Sequence, residues 1–213
     1  MSNIAGIGNA VTKFSTGAVR DVQEDKGRCD LMPLDAVAGV YKYWGVTLAY
    51  KDVFMYAHNS AQLIESIFDD ISYYIYYGES HALCKAICEF ILYTNIDKIR
   101  DGLDKDCGDT TWAKDHLRLL SDTMLEVSKH YKEGTLKYGE RNWEKGIPLH
   151  SYIDSATRHL IKHIGGYTDE RHDRAFIWNL LCCIHTANYI PNKELRDLPF
   201  CTENTAGNEE NES

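Results

Sequence analysis

The sequence predicts an all-α protein, a helical bundle with one inserted helical hairpin. Three observations support this fold class. The chain has 4 prolines in 213 residues, and proline interrupts helices. Apolar residues make up 44% of it, enough for a core, and many recur three and four positions apart, as on one face of a helix. Long stretches lack the strict alternation of a half-buried strand. We expect a single helical catalytic domain over residues 19–190.

Polar segments precede the first predicted helix. Residues 1–18 are rich in Gly, Ser, Asn and Ala and predict a flexible arm. Residues 19–33 collect several charges around Gly27 and end at Pro33. Because proline is favoured in the first turn of a helix, Pro33 predicts a helix over residues 34–44. Its buried face would hold Val37, Val40, Tyr41 and Trp44.

Two further helical patterns predict the inserted hairpin. Apolar residues recur at helical spacing over residues 59–76 and again over residues 80–92. Both patterns contain few side chains of catalytic type, so we interpret residues 46–108 as an insertion that serves the core or an interface. Residues 101–111 predict a polar connection back to the bundle. The tyrosines suited to a contact between subunits are Tyr73, Tyr74, Tyr76 and Tyr77.

Three helices are predicted in the rest of the chain. They cover residues 110–137, 151–164 and 169–189. Gly165 and Gly166 end the second of them, since glycine readily adopts the backbone conformation found after a helix. Pro191 ends the third helix, and the acidic residues 191–213 predict a disordered tail.

Charge and cysteine content exclude some classes of protein. The net charge is -9, whereas binding to a nucleic-acid polymer requires a basic face. We therefore expect no polymeric nucleic acid as a partner, although a single nucleotide held by a few Lys and Arg side chains is compatible. The 7 cysteines form no Cys-x-x-Cys motif, which favours a reducing compartment. Without a recognisable signal peptide or spanning segment, we predict a cytoplasmic protein with no membrane partner.

A polar helix face and the loop after it form the first candidate site. The face belongs to the helix predicted over residues 110–137 and holds Glu126, His130, Glu133 and Lys137. The loop that follows holds Tyr138, Arg141, Asn142, Trp143 and Lys145. Arg and Lys suit phosphate oxygens, an Asn amide can contact a base or sugar, and a Trp ring can stack. The alternatives are a solvated helix face and a tryptophan that anchors the loop to the core.

Acidic and histidine side chains at residues 169–173 form the second candidate site. On a helix, Asp169 would lie beside His172, and Glu170 beside Asp173, so that either pair could hold a divalent cation. Oxygen ligands favour Mg²⁺ or Mn²⁺, and a histidine shifts the preference toward Mn²⁺. The alternative is a helix start in which the acids stabilise the helix dipole.

The helix between these two sites also carries polar groups. Asp154 and Arg158 are spaced for an ion pair, but Arg158 and His159 can instead face a triphosphate. His159 and His163 have the spacing of a zinc helix, but the glutamate of a metalloprotease and a third ligand are missing, so we reject zinc proteolysis. His185 has apolar neighbours, which predicts a core histidine.

Several motifs in this part of the chain resemble the dATP/dGTP diphosphohydrolase family of bacteriophages and prophages, which includes MazZ-like enzymes. The motifs are residues 26–33, 127–134, 137–148, 154–160 and 169–179. The resemblance covers residues 17–45 and 120–190. That family is similar to the all-α MazG-type nucleotide pyrophosphohydrolases. The resemblance therefore implies a MazG-like bundle, a homo-oligomer (dimer or tetramer), and hydrolysis of purine dNTPs (dGTP or dATP) to the monophosphate and pyrophosphate.

The resemblance also implies a cofactor, Mg²⁺ or Mn²⁺, and roles for single residues. Glu170 and Asp173 fit the Glu-x-x-Asp motif of MazG-type enzymes. These enzymes also have a Glu-Glu-x-x-Glu motif, and of its carboxylates this chain keeps one, Glu133. The predicted metal ligands are Glu133, Asp169, Glu170, His172 and Asp173, of which Glu133 and His172 are the predicted catalytic residues. The predicted contacts to the purine dNTP are Lys26, Arg28, Asp30, Lys137, Tyr138, Arg141, Asn142, Trp143, Lys145, Arg158 and His159.

Two alternatives stay open. Phosphohydrolases of the His-Asp superfamily order their ligands as His, His-Asp and Asp. His130 or His159, His172-Asp173 and Asp197 imitate that order. Such an enzyme would be a dNTP triphosphohydrolase and release tripolyphosphate instead of pyrophosphate. The second alternative is a protein that binds or sequesters a nucleotide without turnover.

Overall fold

The structure is a computed structural model that describes residues 11–21, 26–49, 59–103 and 109–201. Its α-helices are α1 (Leu34–Ala49), α2 (Ser60–Tyr77), α3 (Ser80–Thr94), α4 (Ile96–Leu103), α5 (Asp109–Tyr138), α6 (Leu149–Ile164) and α7 (His172–Tyr189). Short 3-10 helices cover Cys29–Leu31, Asn142–Lys145 and Lys193–Leu195. The predicted all-α fold is confirmed. None of the described helices has both the length and the apolar composition needed to cross a bilayer.

A small antiparallel hairpin precedes the helices. Its strands are β1 (Val11–Lys13) and β2 (Val19–Asp21), and Gly17 in the turn has a φ of 85°, which glycine adopts without steric cost. Residues 11–18 of the predicted flexible arm therefore belong to a hairpin that crosses the expected domain boundary after residue 18. The rest of that arm, residues 1–10, lies outside the described residues.

The centre of the bundle is formed by α3 and α7. Both helices bury residues around most of their circumference, as expected of a helix that is enclosed by others. α7 packs against α1, α3, α5 and α6, and α3 packs against α1 and α2. Phe90 of α3 and Phe176 of α7 meet with ring centroids 4.5 Å apart. Full burial of such a side chain contributes about 1.5–3 kcal/mol, so the α3–α7 contact is a main source of stability.

The predicted insertion contains the helical hairpin α2–α3. The side chain of Asn59 caps α2 by accepting a hydrogen bond from the Ala61 amide at 2.9 Å, and Gly78 ends this helix with a φ of 71°. The polar connection predicted over residues 101–111 is wrong at its two ends. Residues 101–103 complete α4 and residues 109–111 begin α5, while residues 104–108 lie outside the described residues.

Two predictions about the last helix need correction. α7 begins at His172, so Asp169 and Glu170 lie in the preceding loop and not in its first turn. The tail predicted to be disordered after residue 190 is packed as far as residue 201. Leu198 is buried, and the Phe200 ring meets Tyr74 at a centroid distance of 5.6 Å. Residues 202–213 lie outside the described residues.

Candidate functional site

A cavity of about 670 Å³ opens between α5, α6, α7 and the loop before α6. His159, Glu170 and Arg171 line its polar end, next to the start of α7. The other end is aromatic, because Trp178 lies two turns further along α7. The rings around Trp178 are Tyr131 at 5.9 Å and Tyr152 at 6.2 Å between centroids. The cavity thus offers charged groups at one end and flat apolar surfaces at the other.

Three ligand-type side chains converge at the polar end. His159 Nδ1 lies 3.0 Å from His172 Nδ1, and Glu170 Oε1 lies 3.4 Å and 3.5 Å from these two nitrogens. His159 comes from α6 and His172 from α7, while the loop between the helices brings Glu170 across. We call His159, Glu170 and His172 the ligand cluster. They are the group of His, Cys, Asp and Glu side chains in the described residues whose spacing suits a metal ion.

These distances fit a single divalent cation. A metal bonded at about 2.1 Å holds neighbouring ligand atoms about 3.0 Å apart at a right angle and about 3.4 Å apart at a tetrahedral angle. The three separations in the ligand cluster span that interval. Two imidazole nitrogens and one carboxylate oxygen form a donor set that suits transition metals better than Mg²⁺.

Asp169 supports the ligand cluster from outside. Its Oδ1 lies 2.9 Å from His172 Nε2, and its Oδ2 accepts a hydrogen bond from Lys162 Nζ at 2.8 Å. The bonds from Lys162 and His172 lower the pKa of Asp169 to about 2, so its carboxylate is ionised. An ionised carboxylate accepts, so the proton of His172 sits on Nε2 and its Nδ1 offers a lone pair to the cluster. Partners of this kind orient the histidine ligands of metal sites.

Burial keeps two histidines of the site neutral. Burial lowers the pKa of His159 and also lowers the pKa of His130, which lies on α5. A neutral imidazole keeps the lone pair that a metal ion or a proton needs. His130 lines the cavity edge-on to Trp178, with ring centroids 5.8 Å apart.

Two predicted metal ligands lie away from the ligand cluster. Glu133 lines the cavity, but its carboxylate pairs with Arg174, whose Nη1 is 3.3 Å from Glu133 Oε1. Asp173 accepts hydrogen bonds from Arg171 Nε at 2.9 Å and Nη2 at 2.6 Å. Asp173 faces a separate cavity of about 250 Å³, because it lies on the other side of the first turn of α7. Both carboxylates are engaged with arginines and not with the two histidines.

The predicted N-terminal contacts hold the loop before α6 in place. Arg28 binds the Asp30 carboxylate at 2.7 Å and Glu140 at 3.0 Å. A Cβ at Gly27 would lie 1.9 Å from the Ser128 hydroxyl of α5, so the segment can seat there because this residue is glycine. The structure places Lys26, Arg28 and Asp30 outside the cavity lining. Their observed role is to fasten the segment against α5 and the loop.

Trp143 anchors the same loop. Its ring is 6% exposed, and its Nε1 donates a hydrogen bond to the Leu31 carbonyl at 3.1 Å. Trp143 still lines the cavity, as do five other predicted substrate contacts, Lys137, Tyr138, Arg141, Asn142 and His159. Lys145 and Arg158 lie outside the lining. Lys145 donates to Asn142 Oδ1 at 3.1 Å, and Arg158 pairs with Asp154 on the surface of α6.

The ligand set of a His-Asp phosphohydrolase is not assembled in the described residues. Asp173 turns away from His172, and Asp197 accepts a hydrogen bond from the backbone amide of His150 at 3.0 Å while also binding the ring of that residue. The predicted core histidine is also different from expectation. His185 is half-buried, and its Nδ1 lies 2.9 Å from Asp35 Oδ1.

Several cavity residues were not among the predicted site residues. They are Tyr131, Tyr152, Ser155, Arg171, Trp178 and Asn179. One available signal is helical spacing, because Asn179 follows His172 by seven residues, which is two turns on the same face. Trp178 and Asn179 belong to the resemblance motifs but received no role.

The comparisons with known proteins add a family. Residues 108–196 match the family model described as dATP/dGTP diphosphohydrolase, N-terminal. No curated protein and no solved structure matches the chain. The matched residues contain α5, α6, α7 and the whole ligand cluster, whereas the resemblance over residues 17–45 lies outside them. The match over residues 108–196 supports the resemblance to the dATP/dGTP diphosphohydrolase family that the sequence motifs indicate.

Proposed function

We propose that the protein hydrolyses purine deoxynucleoside triphosphates to the monophosphate and pyrophosphate in the cavity between α5, α6 and α7. The observation that carries the proposal is the ligand cluster, with its three atoms 3.0–3.5 Å apart at the polar end of a cavity whose other end is aromatic. A triphosphate suits the polar end, and a base suits the aromatic end. The family name supports dATP and dGTP as the substrates.

The ligand cluster would hold Mn²⁺ in preference to Mg²⁺, because two of its three donors are imidazole nitrogens. A bound divalent cation would lower the pKa of a water molecule and offset the negative charge on the reacting phosphate. Asp169 keeps the His172 lone pair directed at the cluster. Burial keeps His159 neutral, so its nitrogen is free to bind near neutral pH.

The cations on the cavity wall supply the remaining charge for a triphosphate. They are Lys137 and Arg141 at the α5 side and Arg171 at the start of α7. Arginine and lysine bind phosphate oxygens through charge-assisted hydrogen bonds. Trp178 offers ring surface to a base at the opposite end. The homo-oligomer stays a prediction of the family resemblance, and the cytoplasmic location stays a prediction from the sequence.

Product analysis tests the proposed reaction. The protein is stripped with a chelator, supplied with Mn²⁺, Mg²⁺ or Zn²⁺, and incubated with each dNTP and NTP before separation of the products by chromatography. We expect dAMP or dGMP with pyrophosphate, most rapidly with Mn²⁺. Release of tripolyphosphate would support the His-Asp type of reaction instead. Tight binding of dATP or dGTP with no turnover in any of the metals would support sequestration.

A further inference from the structure

Asn179 is the buried polar side chain at the aromatic end of the cavity. It lines the cavity and is 6% exposed. Seven residues separate it from His172, so the two side chains lie on the same face of α7 about 10 Å apart along the helix. The separation resembles the reach from an α-phosphate across a deoxyribose to the far edge of a purine.

The orientation of the Asn179 amide is determined by its own helix. Nδ2 donates a hydrogen bond to the Ala175 carbonyl at 2.8 Å. The reverse orientation would set the amide oxygen against the carbonyl oxygen, so this hydrogen bond directs Oδ1 away from the Ala175 carbonyl. Oδ1 is left as the free end of the amide, and it has no hydrogen-bond partner among the described residues. Asn179 therefore presents a hydrogen-bond acceptor at the cavity.

The surroundings of this acceptor favour a planar ligand with an N–H group. The Trp178 ring lines this end of the cavity and packs against Tyr152. The Asn179 oxygen is accessible from the cavity, so a ligand that displaces water from it must offer a donor in return. Purine bases combine a flat ring with N–H donors at the edge away from the sugar. Adenine has its 6-amino group there, and guanine has its ring N1–H and 2-amino group.

We propose that Asn179 Oδ1 recognises the base by accepting a hydrogen bond from the far edge of the purine. This inference rests on the proposed function and adds a specificity determinant to it. Asn179 acts on the choice of base, whereas the ligand cluster at the other end of the cavity acts on the phosphates. Recognition of an N–H group also explains how one side chain serves both dATP and dGTP.

Analogue substrates test the inference in the native protein. The 5′-triphosphate of 2′-deoxynebularine is dATP with hydrogen in place of the 6-amino group, so it lacks the donor. We expect kcat/KM for dATP to exceed that of this analogue by about 10- to 100-fold, the range for removing one partner of a buried hydrogen bond. In Asn179→Leu, which keeps the size of the side chain, the two substrates become equivalent within about twofold.

A second asparagine on α7 provides the matched control. Asn188 is exposed, and its Oδ1 accepts from Ser80 Oγ at 3.1 Å away from the cavity. Asn188→Leu should retain the preference for dATP. If Asn179→Leu does not fold, Asn179→Ala removes the same acceptor with a smaller residue. A merely structural role would lower turnover of both substrates equally and leave their ratio unchanged.

The outcomes separate this inference from the proposed function. Hydrolysis of dATP and the analogue at equal rates by the native protein, or an unchanged ratio in Asn179→Leu, overturns the inference and leaves the proposed function standing. If no dNTP is hydrolysed, the proposed function fails. Calorimetric titration with dATP and the analogue then decides the inference, since the native protein should bind dATP more tightly and Asn179→Leu should not.

Discussion

Two clusters of titratable side chains lie in different parts of the molecule and differ in how their charge is balanced. The hairpin cluster consists of Asp70, Lys85 and Glu89 on α2 and α3. Lys85 Nζ lies 2.8 Å from Asp70 Oδ1 and 3.2 Å from Glu89 Oε1. The ligand cluster of the cavity has two imidazoles and one carboxylate, and its three converging atoms include no Lys or Arg nitrogen.

The difference explains why one cluster is a candidate metal site and the other is structural. Buried carboxylates require a compensating charge. In the hairpin cluster, Lys85 supplies that charge, and the Ser66 hydroxyl donates a further hydrogen bond to Glu89 Oε1 at 2.8 Å. The carboxylate of the ligand cluster, Glu170, is 48% exposed and faces a cavity, so a cation can reach it from solution. A group of titratable residues therefore indicates a binding site where its own cation is missing and a cavity reaches it.

The largest expected effect comes from removing a ligand of the cavity cluster. His159→Asn should lower dATP hydrolysis by about a thousandfold, or about 4 kcal/mol of transition-state stabilisation, because the cation would lose one of three protein ligands. The free energy of unfolding should change by less than about 1 kcal/mol, since His159 lies at the cavity wall. Initial rates with saturating Mn²⁺ and urea titrations measure the two quantities.

The matched control for this variant is His81→Asn in the hairpin. His81 is an exposed histidine that pairs with Glu79 at 3.0 Å. We expect its hydrolysis rate to stay within about twofold of the native rate, as is usual for surface substitutions. A rate within tenfold of native for His159→Asn would remove the ligand cluster from the mechanism.

The hairpin cluster should show the opposite pattern. Lys85→Met leaves two buried carboxylates without their cation and should lower the free energy of unfolding by about 2–3 kcal/mol, with some screening because Lys85 is one-third exposed. Hydrolysis by the folded protein should be unchanged. Urea unfolding followed by circular dichroism measures the loss. Lys42→Met on the exposed side of α1 is the control, and an equal loss in both variants would contradict a special role for Lys85.

The helices could be predicted from the sequence because their periodicity is local. The pattern over residues 59–76 predicts α2 to within one residue at each end. The ligand cluster could not be predicted in the same way, since it joins α6, α7 and the loop between them. Spacing along one helix pointed to Asp169 and Asp173 as ligands. Because α7 begins only at His172, Glu170 instead reaches across to His159.

The phosphate and base contacts illustrate the same limit. Composition identified the loop Tyr138–Gly146 as rich in donors, and five of its residues do line the cavity. Tertiary contacts decided the rest. The carbonyl of Leu31 holds Trp143 as an anchor, and Asp154 pairs with Arg158 on the surface. Asn179 gained its candidate role because α7 turns it toward the cavity, which no sequence motif for phosphate binding would indicate.

The carboxylates of the hairpin cluster predict a loss of stability with rising pH, whereas the lowered pKa of His159 in the ligand cluster predicts the opposite slope. Burial raises the pKa of Glu89 from its usual 4.5 to about 7 and raises the pKa of Asp70 as well. Between about pH 4.5 and about pH 7, Glu89 is protonated in the folded chain and ionised in the unfolded chain, so the folded chain binds more protons. Stability from this cluster is therefore present at low pH and is lost as the pH rises through that window. Glu89→Gln, which has no proton to lose, should remove the part of this dependence that Glu89 contributes.

The measurement compares Glu89→Gln with the native protein in urea titrations at about pH 5 and about pH 8. The stability of the variant relative to native should rise by about 1–2 kcal/mol across this interval. Burial lowers the pKa of His130, His159 and His163, which gives the opposite slope, but this contribution is common to both proteins and cancels. If the difference in unfolding free energy between the variant and the native protein does not change with pH, Glu89 stays ionised throughout this interval.

The smallest expected effect concerns Gly134, a glycine inside α5 that lines the cavity. A Cβ at this position would meet no atom within 4 Å, so alanine fits and should stabilise the helix by about 0.5–1 kcal/mol. Gly45 in α1 is an exposed helical glycine that is equally free of neighbours and serves as the control. Both alanine variants should gain stability, but Gly134→Ala alone should raise KM for dATP, because its methyl group takes space that the nucleotide uses.

Unchanged KM values in both variants would show that the substrate does not approach α5 here. A rise confined to Gly134→Ala would mean that this glycine trades helix stability for access to the site.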